Sequence, residues 1–567
     1  MEKRVILAML LSLVVLVTYQ ILIGPPPPAP AQSQAPQDVS TKAAVPGEKG
    51  AAPPPAVAKP TPPPPQAPAA PAAALIVGDT AARDIVVDTD AFVATFTSAG
   101  AALKSWKLKQ YLQNGEPLEL VPPDAPPGLH PAPFAIQTDD PAQTAVLASA
   151  LYRPGAEKLT LGSAPGMLRF QYQDASGLAS QKTFHFQPNG HPFEVTVEAS
   201  VDAGGVPKPL SISGGSGIGV AGAVGSTTTP PRVVQFVDQD VTRIAPTSLQ
   251  PPTYEGAIQF AGVEDQYFVI AAVPRGAPTR VDYAALGGTA RTLIGFTVRP
   301  RTEGSPSSTV TMPFYIGPKE IDRLVEVHPL LMNAIDFGMF DWLVRPLLRS
   351  LKWINRFVHN YGWSIIILTI IINVIIFPLR HKSMVSMRKM QTLQPQVKAI
   401  QDRYKNLKFT DPDRQKMNSE MMALYKQHGV NPASGCVPML LTLPVLFAFY
   451  QMLAMAIELR GAPFGGWIDD LAAKDPLYIT PIIMGATMFW QQKMMPTSAD
   501  PVQRRVFLLL PIVFTAMFLT MPSGLVLYWT ASNLMAIGQQ YVTNRLIAAP
   551  ARPVRPAPKK LPEKAKP

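Results

Sequence analysis

Five apolar runs toward the C-terminal end, none containing Asp, Glu, Lys or Arg, limit what this chain can fold into more than any other feature. They extend from Trp363 to Leu379, Val437 to Ile457, Leu477 to Gln492, Val506 to Met521 and Leu525 to Val542. About 20 apolar residues in a helix cross the hydrocarbon core of a bilayer. Some of these runs are shorter, and Pro438, Pro444, Pro481 and Pro511 interrupt them. Five uncharged runs so close together still argue for membrane spans over the buried helices of a soluble core. Composition agrees, because charged residues make up 16% of the chain against about 25% in an average soluble domain. A sixth apolar stretch, Val5 to Ile23, follows Lys3 and Arg4. It lacks a small-residue cleavage site and runs into Gly24 and a row of prolines. Residues 1–23 therefore read as an uncleaved transmembrane anchor rather than a signal peptide.

The placement of charge sets an orientation. Residues 380–430 carry Arg380, Lys382, Arg388, Lys389, Lys398, Arg403, Lys405, Lys408, Arg414, Lys416 and Lys426 against Asp402, Asp411, Asp413 and Glu420. The next loop is acidic, with Glu458, Asp469, Asp470 and Asp475 against Arg460 and Lys474. Lys493, Arg504 and Arg505 follow the fourth span, and the tail over residues 546–567 is strongly basic. Basic loops stay in the cytoplasm. Every segment fits one arrangement: six spans, both termini cytoplasmic, and residues 24–362 periplasmic. Within the cytoplasmic loop, Met390, Leu393, Val397, Ile400 and Tyr404 form one helical stripe, and Met417, Met421, Leu424 and His428 form another. They predict a helical hairpin over 380–430, on which Met384 and Met387 are candidates for exposed, adaptable apolar contact.

The segment between the first two spans divides into three parts. Residues 24–74 are mostly Pro, Ala and Gln, a composition that cannot bury enough apolar area to offset ordering and reads as a tether. Residues 75–325 alternate apolar and polar side chains, as in Phe92, Ala94, Phe96, in Leu168, Phe170, Tyr172 and in Phe193, Val195, Val197. Turn clusters separate these stretches. The pattern predicts an antiparallel all-β sandwich with one wet face per sheet, in which Asp174, Glu194 and Glu198 face solvent. Residues 326–360 predict an amphipathic helix at the membrane interface. Phe340, Leu343, Leu347, Leu351 and Ile354 form its apolar side, with Trp342 and Trp353 beside them.

Several chemistries find no support. Cys436 is the single cysteine, so no intramolecular disulfide or multi-cysteine metal site can form. The histidines are scattered, no phosphate-binding loop is present, and no paired carboxylates mark an enzyme. No cofactor, metal or nucleotide is expected. Coupled transporters place ionisable groups inside their spans, and the five runs contain none. The sandwich is like sugar-binding folds in outline, which implies no activity.

Individual motifs carry a family resemblance. Tyr361-Gly362-Trp363-Ser364 leading to Phe377-Pro378-Leu379 resembles the second span of YidC-type insertases of the Gram-negative branch with a large periplasmic domain. So do Leu393-Gln394-Pro395, Glu420 to Tyr425, Val430-Asn431-Pro432, Gly435 to Pro438, Glu458-Leu459-Arg460 and Asp475-Pro476. Further matches are Met484-Gly485-Ala486-Thr487-Met488 and Pro522 to Trp529. Tyr267-Phe268 and Gly317-Pro318-Lys319 extend the likeness into the sandwich. The resemblance implies an insertase core over 361–545, a five-span bundle around a hydrophilic groove open to cytoplasm and lipid. It implies groove residues Thr369, Asn373, Tyr528 and Trp529, and an apolar slide of Leu443, Pro444, Phe514 and Phe518. It implies a recruitment hairpin bearing Met384, Met387, Arg388 and Lys389. The implied partners are nascent membrane proteins, the Sec translocon, the ribosome, the signal-recognition-particle receptor and anionic lipids. The chain departs from the family at Asn373, where a basic residue is usual. Arg380 is the nearest basic residue on that helix, about two turns toward the cytoplasm. The sequence therefore predicts a groove that works by hydration and polar side chains without a central charge.

Overall fold

The structure, a computed structural model, describes residues 75–113, 115–122, 130–204, 209–218, 230–250, 252–275, 279–286, 293–300, 308–404, 413–430, 437–494 and 501–546. The expected anchor, the tether, Cys436 and the tail beyond residue 546 lie outside them.

Alternation of apolar and polar residues builds the first half into three sheets, one of ten strands and two of five. In the largest, Gly166–Asp174, Leu178–Phe186, Glu194–Ala203, Thr309–Pro318, Phe268–Ala272 and Ile258–Glu264 are successive antiparallel neighbours. Along Gly166–Asp174, Leu168, Phe170 and Tyr172 turn to the core while their neighbours are exposed. The register sets Phe184 opposite Leu168 and Val197. Phe96 reaches this layer from a second sheet, its ring 4.6 Å from that of Phe184. The all-β reading holds, with three departures. Asp84–Thr89 pairs in parallel with Lys158–Gly162. A helix, α1 (Pro141–Ser149), starts on the Asp140 cap. The central strand Phe268–Ala272 is buried on both faces, so the rule of one wet face fails at the middle of the sheet.

Two carboxylates expected in solvent are buried instead. Asp174 accepts from Ser176 and Leu178 N–H and from the Tyr172 and Ser176 hydroxyls, closing a turn. These bonds hold its carboxyl below the usual carboxylate pKa although burial pushes the other way. Glu194 pairs with Arg275 at 2.8 Å. Local pairing makes such burial tolerable, and sequence alternation does not register it.

The expected helix over 326–360 begins later. A short helix, α2 (Ile321–Val327), is followed by 3-10 turns at Pro329–Ala334 and Gly338–Phe340 before α3 (Asp341–Val358). Pro329 lacks an N–H for a continuous helix, and Gly338 adopts φ +61°, which breaks the path again. Val344, Leu347, Leu348, Leu351 and Ile354 of α3 are buried, while Trp342, Trp353 and Phe357 are exposed.

Among the described residues, seven α-helices follow: α4 (Tyr361–Thr392), α5 (Gln394–Arg403), α6 (Asp413–Gln427), α7 (Val437–Met455), α8 (Ile479–Met494), α9 (Pro501–Phe518) and α10 (Ser523–Leu546). Helix α10 packs on α4 and α8, α9 packs on α8, and α3 lies against α4 and α7. Among the described residues, α4 is the one helix long and apolar enough to cross a membrane by length and composition alone. The others carry their apolar residues in shorter stretches. Exposed apolar residues coat the outside, including Ile371, Val374, Ile375, Ile482, Ile483, Trp490, Leu509 and Ile512.

Charge and aromatic contacts join sheets to helices. Lys352 on α3 pairs with Glu320, Asp322 and Glu458, the last beyond the end of α7. Gln266 donates to the Ala454 carbonyl, and Arg460 lies over the Tyr267 and Phe268 rings.

Inside the β domain, Lys182 donates to the carbonyls of Gly100, Ala101 and Phe134, matching the three N–H groups of an ammonium. Burial pushes its pKa down to about 7. Lys182→Met strands these acceptors and should cost about 3 kcal/mol, read as a lower Tm of the full chain. The unfolded lysine keeps its proton to about 10.4, so it binds more protons than the folded one above pH 7. Stability should rise with pH between about 7 and the unfolded value, and the substitution should abolish that rise.

Candidate functional site

Helix α4 presents one face to its neighbours: Gly362, Ser364, Ile365, Leu368, Thr369, Asn373 and Ser383 are buried. The steps of three and four residues repeat the helical period. Asn360 starts the helix, its carboxamide accepting from the Trp363 N–H at 3.1 Å. Gly362 is required there, because a Cβ would come within 2.1 Å of the Phe464 ring.

Asn373 is the polar centre of this face. Its Nδ2 donates to the Thr369 carbonyl at 2.8 Å, and its own carbonyl accepts from Gln539 Nε2 of α10 at 2.9 Å. Its Oδ1 accepts from Arg380 Nη1 at 2.9 Å. The expectation of a level without charge is thus corrected. Helical side chains lean toward the N-terminus, and arginine is long enough to cover most of the two-turn offset.

These groups border a cavity of about 260 Å³ among α4, α7, α8 and α10. A water occupies roughly 30 Å³ in the liquid, so the space holds several. Asn373, Arg380, Gln491, Gln492, Ser532 and Asn533 supply polar lining, and Ile372, Ile376, Val445 and Leu446 supply apolar walls. Tyr528, Trp529, Met488 and Ala536 complete it. The Tyr528 ring stacks on Phe449 at 4.2 Å. Trp529 meets the Phe518 ring at 4.8 Å and that of Phe514 at 5.6 Å.

The loop after α7 ties down the start of α10. Ser523 N–H donates to the Ala473 carbonyl and Gly524 N–H to that of Leu471, while the Ser523 hydroxyl donates to Asp470. Asp475 accepts from the Leu477 and Thr480 N–H groups, the Thr480 hydroxyl and the Trp467 indole. Helices α8 and α9 approach closely at Gly485, where a Cβ would fall 2.0 Å from Thr515 Oγ1, as small residues allow in membrane bundles.

The structure brings together Asn373, Tyr528 and Trp529 of the expected groove set. Thr369 lies one turn away, fully buried, with its hydroxyl donating to the Ile365 carbonyl at 2.6 Å, and it does not line the cavity. Phe514 and Phe518 turn inward onto Trp529. Pro444 is half-buried within α7, and the Leu443 side chain lies outside what the structure describes. Met384, Met387 and Arg388 are half-buried and Lys389 exposed, all on the extension of α4. The methionines are thus less open than expected, and Met422 on α6 is the more exposed. The hairpin stripes are buried at Leu393 and Ile400 and half-buried elsewhere, except at His428, which is exposed. Sequence reading missed Gln491, Gln492, Ser532, Asn533 and Gln539. Residues 528, 529, 532, 533 and 536 follow helical spacing, a signal that could have found Ser532 and Asn533.

A helical bundle with apolar outer surfaces, a cavity bordered by polar and apolar side chains and an attached β domain defines a membrane protein with a large extramembrane domain. The family model for the 60Kd inner membrane protein matches residues 353–550, and that for the YidC periplasmic domain matches residues 84–350. "Membrane protein insertase YidC" of Syntrophus aciditrophicus (strain SB) is 36% identical over 563 residues, covering 96% of this chain and 100% of that protein. Its namesake from Citrifermentans bemidjiense is 38% identical over 575 residues, covering 97% and 100%. A crystal structure of an active YidC insertase with its first transmembrane domain resolved aligns with TM-score 0.33 and 18% identity, covering 83% of this chain and 94% of that one. The chain belongs to the YidC family of membrane protein insertases and is an inner-membrane protein.

Asp475→Ala removes several hydrogen bonds from a buried carboxylate at this junction. It should destabilise the protein by about 3 kcal/mol, measured as a lower thermal midpoint in detergent.

Proposed function

We propose that this protein inserts and chaperones integral membrane proteins through the cavity bordered by Asn373, Arg380, Tyr528 and Trp529. One observation carries the reading: a space large enough for several waters, bordered by Asn373, Arg380, Gln491 and Gln492, lies among helices whose outer surfaces are apolar. A charged group at the bilayer centre costs about 2.5–3.5 kcal/mol on the insertion scale. A wet recess reaching part-way across shortens the dry path, so the polar tail of a substrate crosses at lower cost while its apolar segment moves along the helix surfaces into lipid. The process needs no nucleotide and no cofactor, and the protein is not an enzyme.

In this reading six spans cross the inner membrane with both termini in the cytoplasm. The cavity opens to cytoplasm and lipid, and the bonded loop around Asp470, Asp475 and Ser523 closes the periplasmic end. Leu443, Pro444, Phe514 and Phe518 belong to the surface along which the substrate moves. The hairpin with Met384, Met387, Arg388 and Lys389 receives nascent membrane proteins from the ribosome or the signal-recognition-particle receptor. The basic tail meets ribosome or anionic lipid. The protein acts alone or beside the Sec translocon.

The test is insertion of a short single-span substrate into liposomes containing only the purified protein, scored by protease protection. Protection above that of empty liposomes, without nucleotide, is expected. Protection no greater than in empty liposomes, with the protein folded, would remove autonomous insertion from the proposal.

A further inference from the structure

The ammonium of Lys352 faces three carboxylates. Its Nζ lies 2.6 Å from Asp322, 3.2 Å from Glu320 and 3.1 Å from Glu458. Arg323 brings a second cation, but it also serves Glu326, so two cations stand against four carboxylates. Tyr111, from the strand Ala102–Gln113, and Tyr361, at the start of α4, complete the surroundings. Phenols titrate near pH 10 and add no charge below it. The carboxylates around Lys352 are not equivalent. The Asp322 side chain is 59% exposed and that of Glu458 8%. Water therefore screens surplus charge at Asp322 and leaves it unscreened at Glu458. Lys352 donates a hydrogen bond to Glu320, whereas the buried Glu458 Oε1 meets the ammonium as a charge and not through an aligned hydrogen bond.

We infer that Glu458 is the proton-binding site of a latch between the β domain and the helical bundle, and that the latch tightens as the periplasmic side becomes more acidic. Three parts of the chain meet in it. Glu320 and Asp322 follow the last strand of the β domain, Lys352 belongs to α3, and Glu458 opens the loop after α7. That loop is bonded to the first turn of α10 through Asp470 and Leu471, so the latch holds the β domain on the segment that seats Tyr528 and Trp529. The inference rests on the proposed function only for the periplasmic placement of the cluster. A bound proton removes the one negative charge that burial disfavours most, while Lys352 stays paired with Glu320 and Asp322. Burial raises the Glu458 carboxyl above the ordinary carboxylate range, against the attraction of Lys352. The docked state therefore binds this proton more tightly than the separated state. Docking is favoured most below the ordinary value of about 4.3 and loses that advantage as pH rises through the raised one. A single proton limits the change to about tenfold in the docking equilibrium per pH unit.

The experiment uses the full chain in lipid nanodiscs, without substrate. Cys436→Ser removes the native thiol, and spin labels are placed at Asp240→Cys in the β domain and Asp469→Cys in the loop, both exposed positions. The urea concentration at which the distance between the labels is lost is read at pH 5 and pH 8. Other groups also titrate, so each variant is compared with the otherwise unaltered labelled protein at the same pH. Glu458→Gln copies the protonated form. It should hold to higher urea at pH 8, with an advantage that narrows at pH 5. Lys352→Met should separate at lower urea at pH 8, and adding Glu458→Gln should recover part of the loss. An ordinary structural ion pair gives the opposite sign: Glu458→Gln weaker at pH 8. That result, an advantage independent of pH, or no effect of Lys352→Met would overturn the inference. Because no substrate is present, loss of the latch leaves insertion standing, and failure of insertion in liposomes leaves the latch standing.

Discussion

The node around Asn373 shows the constraint on which the helical half depends: polar groups away from water must find partners inside the protein. Asn373 bonds its own helix through Thr369, a second helix through Gln539, and the cavity side through Arg380. Thr369, Thr515 and Thr530 each return a hydroxyl to the carbonyl one turn back. With those demands met locally, Asn373, Arg380, Gln491, Gln492, Ser532 and Asn533 border one cavity.

The β domain is joined to this bundle by bonds that cross between them. Lys352 draws Glu320, Asp322 and Glu458 together from three parts of the chain. Burial works against its charge, but these carboxylates outweigh it and raise its pKa above the ordinary value. A second cluster centres on Glu264. Glu264, fully buried, receives Lys319, Arg232 and Arg243, and the arginines also reach Asp336. Removing one partner from such a buried set leaves a charge uncompensated, which costs more than the pair contributes. These clusters hold α2 and α3 in place, and α3 in turn packs on α4 and α7.

Several short motifs that carried the family resemblance acquire physical reasons in the fold. Gly485 lets α8 meet α9, and Gly362 admits the Phe464 ring. Ser523 and Gly524 fasten the first turn of α10 to the preceding loop, and Asp475 starts α8. Lys319 is the buried partner of Glu264, and Tyr267-Phe268 forms the platform under Arg460. Each is a packing or bonding requirement of the fold.

The sequence by itself determined the division into an all-β part and a helical part, because strand and helix periodicities and long uncharged runs are local properties. The resemblance to the family, carried by its motifs, pointed to Asn373, Tyr528 and Trp529. The sequence could not determine that Asp174 and Glu194 are buried, because their partners come from a turn and from a distant loop. Nor could it break the helix expected over 326–360 at the right place, although Pro329 and Gly338 are visible in hindsight. Only the tertiary structure decided that Phe514 and Phe518 close on Trp529, that Thr369 serves its own backbone, and that Gln539 meets Asn373. It also decided where the charge of Arg380 lies. Sequence counts a position along the helix, whereas a flexible side chain delivers its charge two turns away, to the site where neighbouring helices leave room and an acceptor.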